Sequence, residues 1–258
     1  MRFEIILLSI IQCLTEWFPI SSTGHLKLAE MIFGLRLPLL FDVTLHTGTL
    51  AVTMFFFRRD IEKILRALIK LDLSKSDEGI ILQRIIIGTV FTSITGFIMM
   101  ALEPLFHEIK MIGILFLLSG LITYLSKMKT PKKHYINFKE AAIIGSVQGF
   151  SILPGLSRSG LTISIALIFG VEPKEAFRFS FLLSIPAVLG GLIITSVTQY
   201  NILYKAGLEL EDMFFGAFIS ALLGYFSLKI LRKTLKHFHN FAFYPIFLSF
   251  LLLLLGGS

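Results

Sequence analysis

Charge is what this sequence has least of. Only 16% of its 258 residues are Asp, Glu, Lys or Arg, while 55% are hydrophobic and the mean hydropathy is +0.81. A water-soluble domain of this length needs about a quarter of its residues charged, so that class is excluded. The single cysteine, Cys13, excludes a disulfide framework and a thiolate metal site. There is no Walker-type loop, no HExxH and no CxxC, which removes the commonest nucleotide and zinc signatures. No small-residue cleavage pattern precedes Glu16 and Trp17, and Arg2 is offset by Glu4, so the N-terminal segment is expected to belong to the mature fold.

What is present is long apolar sequence. Residues 85–102, 111–126 and 241–255 carry almost no charge and have the length of membrane spans. The expected class is an all-α polytopic membrane protein. The net charge of +7 then points to cytoplasmic loops and not to nucleic acid. Arg58, Arg59, Lys63, Arg66, Lys70, Lys75 and Arg84 mark residues 58–84 as inside. Lys127, Lys129, Lys132, Lys133 and Lys139 mark the next inner loop, and Lys229, Arg232, Lys233 and Lys236 the last. Residues 103–110 and 199–212 hold Lys110 and Lys205 against Glu103, Glu108, Glu209, Glu211 and Asp212, and are read as outside.

The chain also repeats itself. "QCLTEWFPISSTG" from Gln12 and "QGFSILPGLSRSG" from Gln148 align without a gap, matching Thr15 with Ser151, Ser21 with Ser157, Thr23 with Ser159 and Gly24 with Gly160. At the same offset Phe41 falls on Phe177. The apolar pieces before each motif, 4–15 and 140–153, are too short for a bilayer of about 30 Å and end in polar, Pro/Gly-broken turns. Each is expected to form a re-entrant hairpin, followed by three spans: about 40–57, 84–103 and 111–126, then 178–198, 212–231 and 241–256. An odd number of crossings inverts the second half, giving an inverted repeat in one membrane domain with halves near 1–130 and 131–258. The first hairpin enters from outside, so the site it carries opens outward.

Both hairpin tips converge on one polar constellation. Glu16, Ser21, Ser22, Thr23 and His25 come from the first, and Ser157, Arg158, Ser159, Gly160 and Thr162 from the second. An intramembrane charge is costly unless paired, and Glu16 with Arg158 is the economical pair. Each residue alone has a structural alternative: hydroxyls bond to carbonyls, a histidine serves as a fixed donor, an ion pair only braces. Together they supply a hydroxyl, an acid, a base and a guanidinium able to grip phosphate with two parallel hydrogen bonds. Ser22 or His25 could each form a covalent phosphoenzyme. Gln12, Asp42 and His46 are candidates for support around them, Asp42 having helix capping as its alternative. The competing class is an inverted-repeat transporter or flippase of an anionic or lipid-phosphate substrate, which would use Arg158 equally well.

"QCLTEWFPISSTGH", "LPGLSRSGLT" and "FDVTLHTGTLAV" together resemble the signature regions of the BacA-type undecaprenyl-diphosphate phosphatases over nearly the whole chain. The resemblance implies hydrolysis of undecaprenyl diphosphate to undecaprenyl phosphate and inorganic phosphate in the cell inner membrane. That reaction recycles the cell-wall lipid carrier and confers bacitracin resistance. It carries over Glu16, Ser22, His25 and Arg158 as catalytic, with Ser21, Thr23, Ser157, Ser159, Gly160 and Thr162 around the phosphates. It implies a divalent cation, Mg²⁺ or Ca²⁺, with Glu16 as its oxygen ligand, membrane lipids as surroundings, and leaves a homodimer open. This chain has Gln12 where the family allows Glu or Gln, so a two-carboxylate site is not available there, and Cys13 where Gly is usual.

Overall fold

The structure is a computed structural model that describes residues 2–35, 39–73, 76–128, 133–205 and 210–256. Lys75, Lys129, Lys132 and Glu209 of the charge map lie outside the described residues. The described residues form eleven α-helices and no β-strand. The first half contains α1 (Arg2–Thr15), α2 (Ser22–Phe33), α3 (Leu39–Phe56), α4 (Arg58–Ile69), α5 (Asp77–Leu102) and α6 (Ile109–Leu125). The second contains α7 (Phe138–Phe150), α8 (Arg158–Ile168), α9 (Pro173–Lys205), α10 (Leu210–Thr234) and α11 (Phe243–Leu255).

Local chemistry sets the ends of the short helices. Ser21 Oγ accepts from Gly24 N at 3.2 Å to start α2, and Ser157 Oγ accepts from Gly160 N at 3.0 Å to start α8. Asn137 and Glu140 close a reciprocal capping box at the start of α7, each bond 2.9 Å long. Gly34, with φ of 64°, ends α2 in the left-handed conformation that glycine tolerates.

Three stretches among the described residues are long and apolar enough to cross a membrane: Asp77–Phe106, Pro173–Thr198 and Glu211–Leu255. The last bends at His237, inside the 3₁₀ segment Leu235–Ala242 that joins α10 to α11. Large apolar side chains face outward along these helices, among them Phe97, Ile193, Phe214, Phe226, Phe247 and Leu254. Such a surface suits hydrocarbon and not water. The chain is a helical membrane protein.

Residues 58–84, expected as a charged loop, differ from that expectation. They contain α4 and the first two turns of α5. Ile61, Ile64 and Ala67 recur along one side of α4 and pack on the core or are buried, while Arg59, Lys63 and Arg66 face outward. Charge content hid an amphipathic period.

Small residues let the interior helices meet. At the α5–α7 contact a Cβ on Gly145 would lie 2.7 Å from Gly88 Cα. Thr92 Oγ1 donates to Gly145 O at 2.9 Å across the same contact, and Thr95 Oγ1 to Ser146 O at 3.0 Å. Close backbone approach plus interhelical hydrogen bonds is how helices associate where no hydrophobic effect drives them together. At α1–α10 a Cβ on Gly216 would meet Ser9 Oγ at 3.1 Å, and Ser220 Oγ reaches Ser9 O at 3.4 Å.

Gly145→Ala should therefore force α5 and α7 apart. We expect a loss of about 1–3 kcal/mol in detergent, seen as a lowered melting temperature. Gly190→Ala, where an added Cβ meets nothing within 4 Å, should not be destabilising.

Candidate functional site

The two hairpin turns, residues 16–21 and 151–157, touch. Ser21 Oγ accepts from Gly155 N at 3.1 Å, and Ser159 Oγ donates to Phe18 O at 3.2 Å. Ser157 N donates to Ser119 Oγ on α6 at 3.1 Å, pinning the second turn from behind. A Cβ at Gly24 would lie 2.8 Å from Gly155 N, so glycine is required where the turns cross.

That contact brings Glu16 and Arg158 together. Arg158 Nη2 donates to Glu16 Oε1 at 2.7 Å, with both side chains largely buried. Ser22 Oγ donates to Glu16 Oε2 at 2.6 Å. Gln12 Nε2 lies 3.3 Å from the same oxygen, and His46 Nδ1 also lies 3.3 Å from it. His46 Nδ1 and Gln12 Nε2 are 2.8 Å apart, a distance at which the neutral ring accepts from the amide. One carboxylate thus organises a serine hydroxyl, a guanidinium, an amide and an imidazole. Arg158 stacks its guanidinium over Phe181, 5.1 Å from the ring centroid, which fixes its plane.

Arg158 Nη1 is buried and has no hydrogen-bond partner among the described residues. A buried, charged N–H without an acceptor is costly, and it marks the place where an anion completes the site. Glu16, Ser22, Thr23, His46, Ser157 and Arg158 line one cavity of about 430 Å³. The turn before α8 and helices α5 and α9 add apolar lining, Phe97, Met100, Ile152, Pro154, Val188 and Ile194, beside the hydroxyls of Thr92 and Ser184. A charged pocket therefore opens onto a greasy channel.

The other sequence candidates are distributed unevenly. Ser21 caps α2 with φ of 65°, a left-handed conformation costing a non-glycine residue on the order of 1–3 kcal/mol, immediately before Ser22. His25 is not brought to Ser22. Its Nδ1 lies 2.7 Å from Ser21 O and its Nε2 2.8 Å from Tyr244 OH, and its ring stacks on Tyr244. Since a backbone carbonyl only accepts, His25 carries its proton on Nδ1, and Nε2 accepts from Tyr244 when the ring is neutral. The histidine near Glu16 is His46. Ser157, Ser159 and Gly160 shape the turn contact, and Thr162 Oγ1 turns away to Arg158 O at 2.8 Å and Ser180 Oγ at 2.6 Å. Asp42 lines the cavity with Oδ1 unpartnered.

Sequence reasoning missed several lining residues. Lys27 and Glu30, paired at 3.4 Å, and the Glu103–His107 pair face the same cavity, as do Thr92 and Ser184. Lys27/Glu30 and Glu103/His107 have helical spacing, the one signal available, but Glu103 and His107 read as an ordinary outer loop. Tyr244 carries no signal at all within the last apolar run.

Among the described residues no three His, Cys, Asp or Glu side chains are placed to hold a metal ion. Glu16 is joined through Oε2 to the Gln12 amide, whose buried Oε1 has no partner among the described residues. Those oxygens fit a hard cation only if substrate and water supply the remaining ligands.

The family model described as bacitracin resistance protein BacA matches residues 5–251. The undecaprenyl-diphosphatase of Carboxydothermus hydrogenoformans is 39% identical, the alignment covering 91% of this chain and 88% of the relative. That of Treponema denticola is 37% identical over 95% and 93%, and that of Korarchaeum cryptofilum 33% identical over 97% of each. The similarity spans both hairpin turns, the helices that hold them and the cavity between, and on that extent the chain belongs to the BacA family.

Proposed function

We infer that the chain is an undecaprenyl-diphosphate phosphatase, which hydrolyses undecaprenyl diphosphate to undecaprenyl phosphate and inorganic phosphate. The observation that carries the reading is the buried, unpartnered Arg158 Nη1 in a cavity where Ser22 Oγ already donates to Glu16. Binding an anion needs the arginine but not a serine held on a carboxylate, so hydrolysis is favoured over transport. The apolar walls take the prenyl chain and the polar end takes the diphosphate. Removing the terminal phosphate also removes the diphosphate that bacitracin sequesters, which accounts for the resistance associated with the family.

The chemistry follows from the hydrogen bonds. Ser22 Oγ attacks the terminal phosphorus while its proton passes to Glu16 Oε2, 2.6 Å away. The bond from phosphorus to the bridging oxygen breaks, and undecaprenyl phosphate leaves. Arg158 turns its free Nη1 to the transferred group, whose three oxygens carry the developing charge. Water then attacks phosphoserine and passes a proton to the Glu16 carboxyl as that group returns the first proton to the departing Ser22 oxygen; inorganic phosphate leaves, and Glu16 releases the remaining proton to water. Glu16 and the Gln12 oxygen would hold a divalent cation, Mg²⁺ or Ca²⁺, together with the diphosphate. When bound it neutralises phosphate charge. Gln12 Nε2, with N–H groups directed at Glu16 Oε2 and His46 Nδ1, holds the carboxylate in place, and His25 fixes the strained Ser21 turn.

The topology supporting this site is an inverted repeat. Its membrane spans are α3, α5, α6, α9, α10 and α11, and its re-entrant hairpins are α1–α2 and α7–α8. Residues at the constant sequence offset do equivalent work. Ser21 and Ser157 each cap the second helix of a hairpin, and Ser9 and Gly145 each sit at the close contact with α10 or α5. Arg58, at the inner end of α3, puts the first hairpin on the outer side, so the cavity opens outward in the cell inner membrane.

Three outcomes are expected. Arg158→Lys should lower turnover about 100-fold with folding intact, because an ammonium offers no planar fork; near-normal steady-state kinetics would make Arg158 a brace only. Rapid acid quenching should trap an acid-stable phosphoserine that maps to Ser22, whereas an acid-labile adduct on His25 would reverse their roles. Thr23→Cys in a Cys13→Ser background should react with an impermeant thiol reagent on intact cells and be shielded by bound substrate. Reaction only in inverted vesicles would overturn the outward opening.

A further inference from the structure

A second cavity, of about 600 Å³, lies between the ends of α3, α4, α9 and α10. It is some ten residues along α3 from His46, a separation of about 15 Å in helical rise. Arg58, Arg59, Lys174, Arg178 and Arg232 line it, against only Asp60 and Glu175. Both carboxylates are engaged by one residue, Arg178, at 2.7 Å to Asp60 and 3.4 Å to Glu175. Arg58 donates to Phe55 O at 3.0 Å. Arg59, Lys174 and Arg232 form no ion pair and no side-chain hydrogen bond among the described residues; Arg232 instead lies over Phe56, 5.3 Å from its ring centroid.

Their placement is not explained by helix stability. Arg58 and Arg59 open α4, and Lys174 is second in α9. Cations in a first turn oppose the helix dipole and cost about 0.3–1 kcal/mol each. Charge on one side of a membrane requires basic residues there, but not that three separate segments converge on a concavity. A bound anion reverses the sign of both effects, because it pairs the cations and accepts from helix N-termini.

The floor decides which anion. Phe56, Phe57, Phe177 and Leu235 line the same cavity. Phe57 and Phe177 pack on Phe181 at 6.1 and 4.7 Å, and Phe181 lies under Arg158 of the catalytic pocket. A phenylalanine stack thus stands between two arginine-bearing cavities. We propose that the second cavity is a separate phosphate site, in which Arg59, Lys174 and Arg232 hold a phosphate dianion, either the head group of a polyprenyl monophosphate or free inorganic phosphate. None of the three residues lines the Glu16 cavity, so the site stands apart from the catalytic assignment.

Native mass spectrometry of the full chain released from detergent, titrated with farnesyl monophosphate, counts the occupants. Two molecules per wild-type chain are expected and one per chain of R59A/K174A/R232A, whose diphosphatase turnover should stay within about twofold because none of the three touches the catalytic pocket. R59K/R232K should keep both, since a phosphate dianion accepts from ammonium as well. If the triple variant does not fold, R232A alone should weaken the second site about tenfold through the loss of one charge-assisted contact. Excess inorganic phosphate that displaces the second molecule assigns the site to phosphate alone, and failure to displace it assigns the site to the lipid-borne group. One molecule per wild-type chain, or two retained by the triple variant, overturns the proposal.

Discussion

The Glu16–Arg158 ion pair is the contact on which the rest of this structure depends. It joins residues from opposite halves of the chain, with both side chains largely buried. Breaking a buried pair by removing one partner costs about 3–5 kcal/mol, because the survivor is left uncompensated. The pair also tolerates little displacement. Glu16 must face Arg158 through one oxygen and Ser22 through the other, which holds the two turns in a single relative position.

Everything around the pair serves that position. Gly24 and Gly155 let the turns cross, and Ser21 bonds one turn to the other while holding a left-handed backbone. Helices α5 and α10 approach the hairpins through small residues, so the polar turns are enclosed by protein and not by lipid. Irregular backbone within a helical membrane protein is tolerable only under such cover. The strain at Ser21 is balanced locally by Gly24 N, Gly155 N and the His25 ring on its carbonyl.

The same enclosure gives the cavity its two characters. One end is set by the carboxylate and its partners. The other is set by the apolar sides of α5 and α9, where Pro186 interrupts the helical ladder and Gln148 Nε2 reaches Leu183 O at 3.3 Å. An amphiphilic diphosphate needs both ends at once, the apolar one for its chain and the polar one for the two phosphates and the bond between them. Basic residues recur on the far side of the phenylalanine stack, where three cations are held without carboxylate partners.

Much of this was legible in the amino-acid sequence because its causes are local. Long uncharged runs determine which segments suit hydrocarbon, and serine, asparagine and glycine at helix ends determine where the short helices start and stop. The two motifs brought Glu16, Ser22, His25 and Arg158 into one expected constellation, of which Glu16, Ser22 and Arg158 are in hydrogen-bond contact. Only the tertiary structure decided the rest. His25 and His46 each stand among other polar residues of their own helix, and nothing in their spacing tells which ring turns to Glu16 and which to Tyr244. That choice depends on how each helix is rotated against its neighbours, and rotation is set by packing across the whole bundle. The convergence of Lys27, Glu30, Glu103 and His107 on the cavity, and of Arg59, Lys174 and Arg232 on the second one, was hidden for the same reason. Periodicity and capping act within a few residues, whereas a site made from both halves exists only once the helices have packed.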